Sequence, residues 1–455
     1  MSPRATLIAF IAGLGAAAAL WFGTFFAQLG EPSSLSRWNH DIFERKQAVS
    51  YAMQGPRIVI AGGSNALYGI RARDLSRELG VPVMNAALHA GLGPEYYLHQ
   101  LEKLVRPGDT LVLAFEYQMY LNGPDSTVMV DYMSAREPEY FRKLSPVRQV
   151  EDILGISFGR LVNPWLVKRH PPPQPDPAGL YADSYLDAWG DVLGNSALFK
   201  TPALRASVAT IKPLRLRVDP GGAARIEAFA EWARANRIRV VATHPNTIDF
   251  EAYYARPDIR AKMEDVTRVH ENAAIPFVDR YTDTLFDRRL FFDTVYHLDS
   301  VGATLRTEEL AARLRPVLQG MRYGPPYMPV RSDHPLESAD RNFRLWEPLA
   351  GFSNVDVPPG LGPMVHATDA RAEFFVPSFK ASAARFTARV RSAHGPQVIE
   401  LLEEGKPIQT WHLDGASFQG LEAEVALHAG DNHFTLVQHG SSPDLVIAEW
   451  RFEPG

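Results

Sequence analysis

A serine at the carboxyl end of a predicted strand is the first residue of this sequence that could do chemistry. The stretch 57–70 reads RIVIAGGSNALYGI, in which a short apolar run meets a Gly-Gly pair and then Ser64. Glycines at such a point let the backbone turn sharply and leave the next side chain exposed at the sheet edge. A hydroxyl placed there can act as a nucleophile, and it can equally cap the helix that follows. The local pattern leaves both interpretations open.

A serine nucleophile needs a base, and that base needs a partner that orients it. The chain contains 14 histidines, so position in the predicted fold is the useful filter. His297 lies in the loop before the last predicted helix of the α/β region, and Asp293 stands four residues earlier. Catalytic groups of a parallel sheet collect at the carboxyl ends of its strands. His297 is therefore the candidate base, with Asp293 as the candidate partner.

Alternating strands and helices must position these residues. The predicted strands of this region lie at 57–60, 81–87, 110–117, 238–242 and 275–279. Helical periodicity between them predicts a parallel sheet with right-handed crossovers and helices on both faces. From about 122 to 221 the alternation lapses into aromatic-rich loops, a Pro-rich run at 171–177 and a few short helices around 181–193. We interpret this stretch as an insertion that covers or lines a site, with a mobile surface loop as the alternative.

These two blocks resemble those of the SGNH (GDSL-like) hydrolase and acyltransferase superfamily. Its members carry a serine in a Gly-x-Ser element after the first strand, and an Asp and a His on the loop before the last helix. Here the first block is Gly62-Gly63-Ser64-Asn65, with Gly63 in place of the usual Asp, and the second runs from Asp293 through His297-Leu298-Asp299 to Gly302. The resemblance covers about residues 55–320. It implies an SGNH-like fold with Ser64, Asp293 and His297 as a catalytic triad.

The sequence also departs from this family. The spacing from Asp293 to His297 is four rather than the usual three, which leaves Asp299 as an alternative carboxylate. The family's oxyanion donors, a Gly and an Asn, are indistinct here. Backbone N–H groups of Ser64 and of Gly91 or Gly93 are the expected donors. The side-chain candidates for oxyanion or substrate contacts are Asn65, Tyr117 and His244, of which His244 has a structural polar role as its alternative.

Composition excludes several classes of function. A net charge of −5 gives no basic footprint for nucleic acid. The absence of cysteine rules out disulfides, thiolate catalysis and cysteine-ligated metals. A metal on the pair His297-x-Asp299 would need a third clustered ligand, and none is visible in the sequence, so we expect neither a metal nor a cofactor. At 455 residues, the chain is expected to form two folded domains.

The amino-terminal segment is strongly apolar. No residue from Ala5 to Gly30 is charged, and about 26 residues suffice to cross a bilayer at roughly 1.5 Å per residue. We interpret 5–30 as an uncleaved transmembrane anchor and 31–54 as an amphipathic stalk. A cleaved signal peptide and a buried helix of a soluble protein are the alternatives. An anchor or a signal peptide would place the remainder outside the cytoplasm.

A second domain is predicted after a linker at 321–344. Seven short β-like runs separated by turn signals occupy 345–455, which predicts an antiparallel sandwich or jelly roll. Exposed tryptophans on such a sandwich can stack on sugar rings. The candidates for carbohydrate binding are Trp346, Trp411 and Trp450, and the alternative is that they fill the core.

The order of these parts resembles polysaccharide O-acetyltransferases, in which an SGNH-like domain precedes a polymer-binding sandwich. That resemblance implies a single-pass protein of the bacterial inner membrane with its catalytic domain in the periplasm. It would acylate an exopolysaccharide through an acyl-serine intermediate, and a membrane-bound acyltransferase partner would supply the acyl donor. An acetylesterase with the same triad and a non-catalytic polymer-binding scaffold of a secretion complex remain as alternatives.

Overall fold

The fold was analysed in a computed structural model that describes residues 2–121, 125–170, 186–214, 219–329, 335–353, 355–358, 362–440 and 442–454. The predicted Pro-rich run at 171–177 lies outside these residues. The helices are α1 (Pro3–Ala27), α2 (Ser34–Ala52), α3 (Ser64–Gly69), α4 (Ala72–Leu79), α5 (Pro94–Leu104), α6 (Thr127–Arg136), α7 (Pro138–Lys143), α8 (Pro146–Gly155), α9 (Phe158–Arg169), α10 (Pro202–Ala209), α11 (Pro220–Ala235), α12 (Ala252–Ala255), α13 (Pro257–Asn272), α14 (Ser300–Val317) and α15 (Pro335–Asn342).

The strands complete the element list. They are β1 (Ile58–Gly62), β2 (Val83–Asn85), β3 (Thr110–Ala114), β4 (Arg239–Ala242), β5 (Thr247–Ile248), β6 (Leu285–Phe286), β7 (Phe343–Arg344), β8 (Glu347–Ala350), β9 (Val365–Ala367), β10 (Arg371–Ser378), β11 (Ser382–Ser392), β12 (Gln397–Glu403), β13 (Lys406–Leu413), β14 (Gln419–Leu427), β15 (Gly430–His439) and β16 (Leu445–Pro454).

A parallel sheet of order β2-β1-β3-β4 forms the centre of the α/β region, as predicted. Its first three strands are fully buried, which explains their continuous apolar sequence. The strand predicted at 275–279 is reduced to a single bridge between Ala242 and Phe277. The ladder stops there because the next N–H, that of His244, bonds instead to the Asp279 carboxylate at 2.9 Å.

The connection from β2 to β3 passes across β1, so the winding direction of the sheet reverses between β1 and β3. Ligands of open α/β sheets bind outside the carboxyl ends of the strands at such a reversal. Ser64 begins α3 directly after β1, and Glu116 follows β3 by two residues. The topology therefore makes these two residues candidates for the functional site.

The predicted insertion is more helical than its sequence suggested. Helices α6, α8, α9 and α10 each begin at a capping hydroxyl, which accepts a bond from a backbone N–H in the first turn: Ser126, Ser145, Ser157 and Thr201. These caps are ordinary helix-start signals that the aromatic and proline content obscured. The expectation of short helices at 181–193 is wrong for the described part, where a Leu186–Val192 bridge encloses a turn.

The carboxyl-terminal region is a sandwich of two five-stranded sheets, which confirms the predicted β-sandwich. One sheet has the order β13-β12-β15-β10-β8, and the other has β14-β11-β16-β7 with β9 paired to β16. Seven predicted strands correspond to β10–β16. The predicted linker ends in α15 and β7, and β7 pairs in parallel with β16.

Near the amino terminus, α1 is the one helix of the described residues that is long and apolar enough to cross a membrane, with a mean hydropathy of 2.0. A signal sequence satisfies the same criteria. The predicted stalk is instead a packed helix. One face of α2 buries Ile42, Phe43 and Val49 in the core of the α/β region, because its apolar residues recur at helical spacing.

Candidate active site

The turn after β1 accommodates only glycine. A Cβ atom at Gly62 would lie 2.2 Å from the carbonyl oxygen of Ala114, and one at Gly63 would lie 2.3–2.4 Å from both carboxylate oxygens of Glu116. Neither position adopts a positive φ, so close approach rather than backbone conformation requires glycine here. The turn brings β1 against the end of β3 and starts α3 with the half-buried Ser64.

The carboxylate of Glu116 organises this turn. It accepts hydrogen bonds from the backbone N–H of Gly63 (3.0 Å) and of Asn65 (2.9 Å), and from the Ser64 hydroxyl (3.3 Å). Burial raises the pKa of Glu116, and the bonds from Asn65 and Gly63 oppose that rise. Glu116 belongs to none of the predicted motifs. Its one sequence signal is an acidic residue that closely follows an apolar parallel strand.

His297 and Asp293 form the predicted pair. The imidazole Nδ1 lies 2.7 Å from Asp293 Oδ1, and their side chains are 11% and 19% exposed. A spacing of four residues is therefore compatible with the contact. Because Asp293 engages Nδ1, the free nitrogen of His297 is Nε2, which is the arrangement that a general base requires.

The imidazole of His297 also packs against the helix that carries Ser64. Its ring centroid lies 4.4 Å from that of Tyr68, which is four residues after Ser64 and thus on the same face of α3. The His89 side chain is close enough that His297, after burial, contributes to lowering the pKa of His89. Ser64 begins α3, and His297 packs against Tyr68 one turn later in the same helix.

Two buried asparagines hold the His297 loop beside α3. Asn195 donates from Nδ2 to the carbonyl oxygens of Tyr68 (2.9 Å) and Leu298 (2.7 Å). Asn246 donates to the carbonyl oxygen of Tyr296 at 2.6 Å, and its Oδ1 would touch a Cβ atom at Gly69. Both neighbours of His297 are therefore tied to the end of α3. The sequence analysis missed both asparagines, because neither belongs to a motif.

Several predicted oxyanion donors are already engaged within the protein. The N–H of Gly91 bonds to His89 Nδ1 at 2.9 Å, and that of Gly93 bonds to the Ala90 carbonyl oxygen at 3.1 Å. The Asn65 side chain points to β3, where Nδ2 donates to the Ala114 carbonyl oxygen at 2.7 Å. The Ser64 amide is the expected donor that these bonds leave available.

His244 and Tyr117 are interior residues. His244 is 1% exposed, stacks on Phe277 with centroids 4.1 Å apart, and has its Nδ1 at 3.5 Å from the Tyr117 hydroxyl. Burial, with a further contribution from Arg306, lowers the pKa of His244 to about 3. Tyr117 is 3% exposed. Both expectations of a substrate contact are therefore corrected in favour of a structural role.

Asp299 is not the partner of His297. Its Oδ1 caps α14 by accepting from the N–H groups of Val301 and Gly302, each at 2.9 Å, and its other oxygen bonds to Lys200. This N-cap fixes the helix that follows the His297 loop. In the described part of the chain, no group of three His, Asp or Glu side chains is placed to hold a metal ion.

Two of the three candidate tryptophans belong to the core of the sandwich. Trp346 is 2% exposed and Trp450 is fully buried, with their ring centroids 5.7 Å apart. The alternative interpretation, that these tryptophans fill the core, is therefore correct for both. Their burial excludes them as surfaces on which a sugar ring could stack. Trp411 is half-buried on β13, with its ring 5.9 Å from that of Phe386. It is the one of the three with surface to offer a ligand.

No protein-family model and no curated protein matches this chain. Among solved structures, it is similar to a GH26-CBM35 β-(1,4)-mannanase of Podospora anserina at 19% identity and a TM-score of 0.20, over 24% of this chain and 25% of that one. A family 35 carbohydrate-binding module from an environmental isolate is 17% identical over 19% of this chain and 66% of its own, with a TM-score of 0.17. The CBM6 of the LamC laminarinase from Zobellia galactanivorans is 17% identical over 22% and 90%, with a TM-score of 0.18. Similarities of this size carry no argument about the activity of this chain.

Proposed function

We propose that this protein is a membrane-anchored O-acyltransferase of the SGNH type, which transfers an acyl group, most simply acetyl, to an extracellular polysaccharide. Ser64 is the nucleophile, His297 the general base and Asp293 its orienting carboxylate. The observation that carries the proposal is the Asp293-oriented imidazole of His297, packed against Tyr68 on the same helix that begins with Ser64. In the sequence, Ser64 and this pair lie near opposite ends of the α/β region. In the fold, Ser64 begins α3 and His297 packs against Tyr68 of the same helix.

The reaction begins with a rotation of the Ser64 side chain, because its hydroxyl now bonds to Glu116 at 3.3 Å. His297 Nε2 then takes the hydroxyl proton as Ser64 Oγ bonds to the acyl carbon, and the donor's leaving group departs with that proton. A sugar hydroxyl next attacks the acyl-Ser64 ester while His297 accepts its proton. Ser64 leaves and recovers a proton from His297. The Ser64 amide is the donor that would stabilise the oxyanion in both steps.

The rest of the chain supports the proposed acceptor and location. An apolar α1 supports membrane attachment, with the catalytic region in the periplasm of a bacterium and a membrane-bound acyltransferase partner supplying acyl groups. The β-sandwich supports a polymeric acceptor, for which half-buried Trp411 offers an aromatic edge.

The decisive experiment is covalent labelling of the purified full chain with a serine-directed fluorophosphonate, followed by peptide mapping. We expect labelling at Ser64, its loss in Ser64→Ala, and strong slowing in His297→Ala. Ser207→Ala, which alters an exposed serine on α10, is the matched control and should label normally. If Ser64 stays unlabelled in the folded protein, the non-catalytic polymer-binding scaffold would be the remaining hypothesis.

A second experiment distinguishes a transferase activity from an esterase activity. The enzyme is incubated with an activated acetyl ester, with and without an oligosaccharide acceptor. We expect acetylated oligosaccharide to form in wild type and not in Ser64→Ala. Hydrolysis of the ester that is unchanged by any acceptor would support the esterase instead.

A further inference from the structure

Two consecutive helices with a short connection, α8 and α9, present exposed apolar side chains that the proposed chemistry does not use, and they are called the hairpin below. Six of its large apolar side chains are 43–68% exposed: Val147, Val150, Leu154, Phe158, Trp165 and Leu166. The first three follow i, i+3, i+7 spacing and therefore share one face of α8. The other side of α8 buries Asp152 and Ile153 against the protein. The hairpin is thus amphipathic, with its apolar face outward.

This hairpin is attached to the last turns of α1. The indole N–H of Trp21 donates to the carbonyl oxygen of Ile153 at 2.8 Å. Pro164 interrupts the hydrogen-bond ladder of α9, and the side-chain amide of Gln28 bonds to both sides of that interruption. It donates to the Leu161 carbonyl oxygen at 2.6 Å and accepts from the Trp165 N–H at 2.9 Å. The attachment therefore uses backbone groups of Leu161 and Trp165, which flank Pro164 in α9.

The length of α1 determines the depth, relative to a bilayer, at which the hairpin contacts this helix. A helix of 25 residues is about 37 Å long, which exceeds a hydrocarbon core of about 30 Å by one to two turns. The contacts to the hairpin lie in 21–28, which is this final part. If α1 spans a bilayer, the hairpin lies where hydrocarbon gives way to headgroups.

The composition of the hairpin is typical of that zone. Tryptophan is enriched at membrane–water interfaces, and long cationic side chains reach from apolar surface toward headgroup phosphates. Exposed Arg169 lies over the ring of Trp165 at 3.9 Å, beside exposed Lys168. Before α8, the preceding helix α7 finishes with exposed Arg142 and Lys143. Cations therefore flank α8 and α9 in the sequence, and they complement anionic phospholipids.

We propose that α8 and α9 form an interfacial membrane-binding element, whose apolar face enters the outer leaflet of the membrane that α1 spans. This inference rests on the membrane topology of the proposed function. Together the span and the hairpin attach the α/β region at more than one point, so that the catalytic region is held at a fixed height and tilt above the lipid surface.

The absence of cysteine from the chain permits a direct test. Single-cysteine variants of the full chain, Leu154→Cys and Phe158→Cys, are labelled with an environment-sensitive nitrobenzoxadiazole dye. They are reconstituted into vesicles of phosphatidylethanolamine and phosphatidylglycerol. Leu14→Cys, in the middle of α1, reports on the span, and Phe379→Cys, an exposed phenylalanine of the sandwich, is the matched control.

We expect dye at positions 154 and 158 to shift its emission to the blue and to be quenched by lipids with a spin label high on the acyl chain. Dye at position 14 should be quenched by lipids labelled deep in the chain, and dye at 379 by neither. A buried label at 14 with water-exposed labels at 154 and 158 would overturn the hairpin proposal alone. A water-exposed label at 14 would overturn the span and the hairpin together. Labels at 154 and 158 that become shielded only when a second protein is added would identify a protein-docking face and reject the lipid.

Discussion

At the scale of single residues, the centre of the site is a carboxylate that belongs to no predicted motif. Glu116 accepts three hydrogen bonds from the turn that carries Ser64, and it does so while buried. Such an acceptor fixes the backbone N–H groups of Gly63 and Asn65, and thereby the position of Ser64. Glu116 therefore holds the turn in place.

We expect Glu116→Gln to weaken both the fold and the reactivity of Ser64. Glutamine keeps one acceptor oxygen and sets an NH2 group against an N–H of the turn, so one buried donor loses its acceptor. This should lower the free energy of unfolding by about 1–3 kcal/mol. Chemical denaturation measures the stability, and the rate of fluorophosphonate labelling measures the reactivity.

The matched control is Glu95→Gln, which alters a half-exposed surface ion pair with Arg148 and should change stability by less than about 0.5 kcal/mol. Equal effects of the two substitutions would contradict the role assigned to Glu116.

At the scale of elements, the His297 loop depends on asparagines from two different connections. Asn195 and Asn246 bond to the carbonyl oxygens on either side of His297, and each also contacts the end of α3. The imidazole is therefore held in place relative to Ser64 by side chains that do not touch the reacting atoms.

We expect Asn195→Ala to leave two buried carbonyl groups without a donor and to lower stability by about 1–3 kcal/mol. Labelling of Ser64 should slow even at temperatures where the variant is fully folded, because the loop is free to move away from α3. Asn236→Ala, at an exposed helix end, is the control and should leave labelling unchanged. Normal labelling of a folded Asn195→Ala variant would show that the loop holds its place without this clamp.

A second element-scale prediction concerns pH. His244 and His270 both pack on Phe277, and burial lowers their pKa values to about 3 and about 4. Below pH 6.5 the unfolded chain therefore binds protons that the folded chain does not, so stability falls as the pH is lowered. The contribution of each histidine should rise from a small slope at pH 7 toward a limit of about 1.4 kcal/mol per pH unit near pH 5. Urea unfolding at pH 7 and pH 5 measures this slope. It should be smaller in a His244→Gln, His270→Gln double variant, and an unchanged slope would refute the assignment.

At the scale of the whole molecule, a buried ionic cluster joins the sandwich to the α/β region. Lys200 bonds to Asp299, which caps α14, and to Glu347 on β8 at 2.6 Å. Arg205 also reaches Glu347, at 2.7 Å, and burial raises the pKa of Glu347. Asp299 of this cluster lies two residues after His297, so the contact between the sandwich and the α/β region adjoins the candidate site.

We expect Lys200→Met to lower stability by about 3–5 kcal/mol, because two buried carboxylates lose their shared cation. Limited proteolysis should then release the sandwich as a fragment, and adding Glu347→Gln should restore part of the loss. Lys168→Met removes an exposed ion pair with Glu31 and should have an effect below about 1 kcal/mol. Wild-type resistance to proteolysis in Lys200→Met would show that the remaining contacts, which include the ion pairs Arg289–Asp431 and Arg344–Asp74, hold the two regions together.

The architecture and the contact between Asp293 and His297 could be predicted from sequence, and the contacts that surround them could not. Alternating apolar runs predicted the parallel sheet, and regular turn signals predicted β10–β16. Ser64 and the Asp293–His297 pair were identifiable because their types and their places after strands carry chemical meaning. Asn195 and Asn246 act through long-range contacts that no local pattern encodes, and the place of Glu116 after an apolar strand did not show which groups it would bind. Trp346 and Trp450 could likewise not be distinguished from surface residues. The sequence of a strand does not show which of its two faces packs against a partner sheet.

The approach of Glu116 to Gly63 has a consequence for related sequences. The carboxylate of Glu116, which follows β3, occupies the space into which a side chain at position 63 would project. In the family that this sequence resembles, an aspartate usually stands at that position. Here a carboxylate reaches the same turn from a different strand. Positions 63 and 116 should therefore vary together in an alignment of homologues. A chain with a side chain at 63 should carry a small residue at 116, and a glutamate at 116 should be accompanied by glycine at 63.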